Sequence, residues 1–139
     1  MANILIVDDD PAVQLTIRLL LERAGHHVTV AGDGRTGLAL FETNQFDLLF
    51  LDIFMPGMDG LETMRHIRAQ QAAIPIIVIS GRSITLDAHA EPDFLRMATK
   101  LGALASLQKP FRAEALLAAV DGCLDAGKPE GPDVSTSSR

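Results

Sequence analysis

The sequence predicts an α/β fold: a doubly wound parallel sheet of five strands, with five helices laid on both of its faces. Three observations carry that expectation. Short apolar runs recur five times along the 139 residues. Between them, apolar residues return at helical spacing. Most of the runs are continuous and not alternating, as expected of strands covered on both sides.

The first run is Ile4-Leu5-Ile6-Val7. Asp10-Pro11 then reads as a helix start. An aspartate can cap, and proline suits the first helical position because its missing N–H is not needed there. Val13, Ile17, Leu20, Leu21 and Ala24 share one face of that helix, and Gly25 can stop it. The second run, Val28-Thr29-Val30, is weak. Asp33 follows as the cap of a helix carrying Leu38 and Phe41. Asp47 leads into the third run, Leu48-Leu49-Phe50-Leu51, and Leu61, Met64 and Ile67 mark the next helix. The fourth run is Ile76-Ile77-Val78-Ile79. Glu91-Pro92-Asp93 opens a helix with Phe94, Met97, Ala98 and Leu101 at helical spacing and Gly102 as terminator. The fifth run, Leu104-Ala105-Ser106-Leu107, is again weak. Ala113, Leu116, Leu117, Val120 and Leu124 mark the last helix. Strand and helix alternate throughout, which calls for right-handed crossovers. From Ala126 onward Gly, Pro and Ser dominate, so 126–139 is expected to be a disordered tail and 1–125 one domain.

Apolar residues make up 47% of the chain, enough for a real core, and the net charge is −6. That balance argues against a nucleic-acid surface, which wants clustered Lys and Arg. The single cysteine, Cys123, cannot close an internal disulfide. No apolar run approaches the roughly 18 residues of a membrane span. The start, Met1-Ala2-Asn3, lacks the basic region and cleavage signal of a secretory peptide. A cytoplasmic location is the expectation.

In an open parallel sheet, ligands gather at the carboxyl ends of the strands. Asp8, Asp9 and Asp10 follow the first strand, and Asp52 follows the third. Ser80 and Gly81 follow the fourth; Lys109, Pro110 and Phe111 follow the fifth. Ala31 and Gly32, after the second, are chemically silent. Carboxylates about 4 Å apart repel by about 1 kcal/mol in water and about 4 at an intermediate dielectric. Either some of them carry protons or a cation sits among them. Oxygen ligands without His or Cys favour a hard ion, Mg²⁺ or Mn²⁺ in its place. A lysine and a serine hydroxyl added to this set can hold a phosphoryl group on Asp52.

The pattern Val7-Asp8-Asp9, Leu51-Asp52, Met55-Pro56-Gly57-Met58-Asp59-Gly60, Ser80-Gly81 and Lys109-Pro110-Phe111 resembles the receiver domain of two-component response regulators. The resemblance covers roughly residues 3 to 125. It implies a flavodoxin-like sheet with strand order 2-1-3-4-5. Asp52 would be the phosphoacceptor. Asp9 would bind Mg²⁺ directly, Asp8 mainly through water, and the Phe54 backbone carbonyl would complete the protein's share of the sphere. Lys109 would pair with the phosphoryl group and the Ser80 hydroxyl would turn in to it. Pro110 takes the family's cis-proline position.

Other residues have plainer readings. Asp10 is a helix cap, and Asp59 and Gly60 are turn and helix-start residues. His26, His27, His66 and His89 show no ligand spacing and are expected to be exposed. Cys123 packs in the last helix. Met55 and Met58 serve packing or partner contact, not metal binding. Two features depart from the family pattern. Ser106 stands three residues before Lys109, where receivers commonly carry Tyr or Phe. The connection from Arg82 to Glu91 is long, and reads equally as a tolerated insertion or as a partner-contacting element. Arg82 is also the side chain near Ser80 able to offer a hydrogen bond where the apolar Phe54 cannot.

The leading functional expectation is a stand-alone phosphorylation switch, not an enzyme with a substrate of its own. A histidine kinase or histidine phosphotransfer protein would supply the phosphoryl group. Output would go through a protein partner or onward in a phosphorelay, without DNA or membrane binding. A phosphorylation-independent interaction module on the same fold is the alternative, and the complete set Asp8, Asp9, Asp52, Ser80 and Lys109 speaks against it. A flavin enzyme would want a Ser/Thr/Gly-rich phosphate loop after the first strand, where aspartates stand. A phosphatase using an aspartyl intermediate would want a second carboxylate at Phe54.

Overall fold

The computed structural model describes residues 2–53, 60–71, 73–80, 96, 99–109 and 111–127. The elements run β1 (Asn3–Val7), α1 (Pro11–Arg23), β2 (His27–Ala31), α2 (Gly34–Thr43), β3 (Leu48–Asp52), α3 (Gly60–Gln70), β4 (Ile76–Ser80), β5 (Ala105–Gln108) and α4 (Ala113–Gly127). The five strands form one sheet in the order β2-β1-β3-β4-β5, and every pairing is parallel. The expected doubly wound architecture and strand order are what the chain adopts.

Alternation along each strand feeds two separate cores. Leu5, Val7, Leu49, Leu51, Ile76 and Val78 pack against Leu38 and Phe41 of α2 and Leu61, Met64 and Ile67 of α3. Ile4, Ile6, Leu48, Phe50, Ile77 and Ile79 pack against Ile17 and Leu21 of α1 and Leu116, Val120 and Cys123 of α4. Each such side chain contributes about 1.5–3 kcal/mol relative to exposure. The two weak strands are the sheet's edges. β2 is largely half-buried, and β5 buries only Leu107 fully.

The expected punctuation is present. Asp10 caps α1 by accepting the Ala12 N–H at 2.9 Å, and Asp33 caps α2 by accepting the Thr36 N–H at 2.7 Å. Gly25 ends α1 at φ +94°. Arg96, Thr99 and Lys100 are helical and Gly102 follows at φ +97°. The rest of the helix expected from Glu91 lies outside the described residues, as does the tail from Lys128. Arg68, near the end of α3, donates to the carbonyls of Leu101 (2.8 Å), Gly102 (2.9 Å) and Ile74 (2.6 Å).

Candidate functional site

The site forms where β1, β3, β4 and β5 run out. Counting in steps of two from Ile6, Phe50 and Leu107 puts Asp8, Asp52 and Lys109 on the same side of the sheet. Strand register, and not chance proximity, therefore gathers them. The Asp8 N–H donates to the Ala31 carbonyl at 3.1 Å, which extends the β1–β2 ladder by one step. The Lys109 N–H does the same to the Ser80 carbonyl at 2.8 Å, one step past the Ser80–Gln108 pair that ends the β4–β5 register.

Asp8, Asp52 and Ser80 are buried, at 0%, 2% and 1% exposure, while Asp9 is exposed. Carboxylate oxygens of Asp8, Asp9 and Asp52 lie within 4.8 Å of one another. Lys109 Nζ stands 3.1 Å from Asp8 Oδ2 and 3.3 Å from Asp52 Oδ2. Asp8 Oδ1 accepts the Asp10 N–H at 2.9 Å. Its Oδ2 is buried and has charge contact with Lys109 but no hydrogen bond among the described residues; Ser80 Oγ is likewise buried without a hydrogen-bond partner among them.

Burial pushes the Asp8 carboxyl above its ordinary value, and the Asp10 N–H and Lys109 only partly offset it. For Lys109, burial acts to lower the ammonium, but the Asp52 and Asp8 carboxylates outweigh it and hold Lys109 above its ordinary value. Three carboxylates face one ammonium, so negative charge remains in excess. The donor set suits a hard divalent cation. Among the described residues it is oxygen-only, with an exposed carboxylate at its mouth and a buried oxygen left without a hydrogen bond.

The structure thus brings Asp8, Asp9, Asp52, Ser80 and Lys109 together. Phe54, Gly81, Arg82, Pro110 and the connection from Arg82 to Glu91 lie outside the described residues. Ser106 is exposed on β5. Cys123 is buried in α4, as expected. One expectation is corrected: His26 is half-buried, because its Nδ1 accepts the Ala2 N–H at 3.1 Å across the start of the sheet. His27 and His66 are exposed.

Two contributors went unrecognised in the sequence. A Cβ on Gly60 would stand 2.3 Å from the Asp52 carbonyl oxygen and 2.4 Å from Ile53 Cα. The first residue of α3 therefore lies directly on the Asp52 backbone. Its helix-start position was legible; the close approach belongs to the fold. Gln14, in the first turns of α1, donates from Nε2 to the Asp8 carbonyl. Its spacing of four from Asp10 is the only sequence trace of that contact.

A parallel sheet of this order with an acidic and lysine-bearing edge is the frame of a receiver-type fold. The family model for the response regulator receiver domain matches residues 4–121, and this chain belongs to that family. The transcriptional regulatory protein FixJ of Bradyrhizobium diazoefficiens is 32% identical over 127 residues, covering 91% of this chain and 58% of that one. The response regulator MprA of Mycobacterium sp. (strain KMS) is 39% identical over 132 residues, covering 94% of this chain and 54% of that one. The chain thus spans little more than half the length of these relatives. A CheY-like receiver domain protein from Methanospirillum hungatei superposes with a TM-score of 0.83 at 29% identity, covering 94% of this chain and 99% of that one.

Proposed function

We propose that the chain is a stand-alone phosphorylation switch in which Asp52 accepts a phosphoryl group from a histidine kinase or histidine phosphotransfer protein. One observation carries this reading: Lys109 Nζ reaches Asp8 and Asp52 together at a buried edge where Ser80 Oγ has no hydrogen-bond partner among the described residues. An Asp52 oxygen forms the new P–O bond as the P–N bond of the donor phosphohistidine breaks, and the imidazole leaves. Asp8, Asp9 and Asp52, with the Phe54 carbonyl, would hold Mg²⁺, which when bound offsets charge on the phosphoryl oxygens. The Lys109 ammonium pairs with the transferred group, and the Ser80 hydroxyl donates to it. Both are drawn toward Asp52, and their linked backbone carries that displacement into β4 and β5. The acceptor turns over no substrate of its own. A protein partner in the cytoplasm reads the state or takes the phosphoryl group onward.

The test is incubation with acetyl phosphate and Mg²⁺, followed by intact-mass measurement. A single phosphoryl adduct that is stable in acid, labile in base, and lost in both Asp52→Asn and metal-free buffer is expected. An adduct that persists in Asp52→Asn, or none in wild type, sinks the reading.

A further inference from the structure

We infer that Gln14 is a positioning residue for the cation site, acting through the peptide that joins Asp8 to Asp9. The inference rests on the functional reading above, since it concerns Mg²⁺ at that site. All of Asp8 is held. Its N–H goes to Ala31, its Oδ1 takes the Asp10 N–H, and its Oδ2 faces Lys109. Its carbonyl takes the Gln14 amide. Asp9 differs: it is exposed, and no hydrogen bond among the described residues holds its carboxylate.

The direction of the Asp9 side chain is therefore set by the backbone that leads into it. The Asp8 carbonyl and the Asp9 N–H belong to one rigid peptide plane. Fixing the carbonyl fixes the plane. Gln14 does this from one turn into α1, where its stem is half-buried and its amide lies over Gly32 at ordinary contact distance from where a Cβ would be. A carbonyl can only accept, so the amide must present its NH₂, and the interaction has one sense. Without it the plane keeps only the restraints on either side, the Asp8 N–H to Ala31 and the Asp10 N–H to Asp8 Oδ1, and gains room to tilt. The exposed carboxylate would then sample orientations that do not converge with Asp8 and Asp52. Groups one shell behind a metal ligand commonly change metal affinity by about 10–100-fold.

Two variants separate positioning from bulk effects. Gln14→Met keeps shape and helix propensity and removes the donor. Gln14→Glu keeps shape and replaces the donor with a charge that the carbonyl repels. Simple charge attraction predicts that the added carboxylate tightens Mg²⁺ binding; loss of positioning predicts that it loosens it. Mg²⁺ affinity is to be measured by calorimetry on unphosphorylated protein, with the melting temperature in metal-free buffer as the control for folding. Both variants should bind Mg²⁺ about tenfold more weakly, and the Mg²⁺ concentration that half-saturates phosphorylation by acetyl phosphate should rise by about the same factor. Mg²⁺ affinity within twofold of wild type in a folded Gln14→Met protein overturns the inference. Tighter binding by Gln14→Glu overturns it as well, and settles the matter if the methionine variant does not fold. Absence of Mg²⁺ binding in wild type removes the functional reading and this inference together.

Discussion

Asp8 illustrates how a single residue can hold a site together at a cost to the fold. Its carboxyl is fully buried, and burial raises its pKa. For a carboxyl raised in the folded state, the stabilising contribution is present in acid and is lost as pH rises through the raised value. Once pH has passed that raised value, the ionised group destabilises the fold. Asp8→Asn keeps an oxygen for the Asp10 N–H and removes the charge, so it should stabilise by about 1 kcal/mol, or about 3–6 °C in melting temperature. The gain should shrink toward acid pH in calorimetric scans; equal or lower stability at pH 7 would contradict it. Gly60 is the opposite case, a residue with no side chain and no tolerance for one. Gly60→Ala pushes a methyl into the Asp52 carbonyl and Ile53 backbone. Destabilisation of about 1–3 kcal/mol is expected, together with slower phosphorylation by acetyl phosphate, because the acceptor strand must shift. Unchanged urea midpoint and rate would show that α3 can slide away freely.

At the scale of elements, α1 joins the site to the surface. Leu15 and Leu19 are 57% and 49% exposed, one turn apart, on a helix that begins at the acidic loop. On the proposed function a donor histidine has to come within bonding distance of the buried Asp52, and the exposed leucines beside the acidic loop offer a surface to the protein that carries it. Leu15→Glu with Leu19→Glu should change stability by no more than about 0.5 kcal/mol. Phosphotransfer from a histidine phosphodonor protein should fall about tenfold while the rate with acetyl phosphate stays put. Equal loss with both donors would place the effect inside the fold and not at its surface. The central strands were plain in the sequence because β1, β3 and β4 are buried on both faces and read as unbroken apolar runs. β2 and β5 were faint because they are edges, where Thr29, Ser106 and Gln108 are under less constraint. Site residues were legible because strand ends put fixed chemistry at fixed places. Gln14 and the Gly60 approach were not, since each depends on how a helix lies over a neighbouring loop.

The whole molecule has two unlike ends. Chemistry sits at the carboxyl ends of the strands, and Arg68 closes the other end. Its guanidinium takes a carbonyl ahead of β4 and two carbonyls ahead of β5. Lysine cannot span that set with one ammonium, so Arg68→Lys leaves carbonyls short of a donor and should destabilise by about 1–3 kcal/mol. Mg²⁺ affinity and acetyl phosphate kinetics should be unchanged, since the site is at the far edge; a matching drop in either would mean that the two ends are energetically coupled at rest.

The Arg68 clasp also has a mechanical meaning. β4 ends in Ser80 and β5 leads directly into Lys109, and both strands are pinned at their beginnings by the same planar cation. Displacement introduced at their free ends has a fixed point to turn about. If Asp52 takes a phosphoryl group as proposed, small motions at the site would become angular motions of β4 and β5, largest near that group and smallest at the clasp. Loosening the pin lets that displacement dissipate into sliding. An Arg68→Lys protein would then take up its phosphoryl group normally and still signal poorly, as a lever does when its fulcrum gives way.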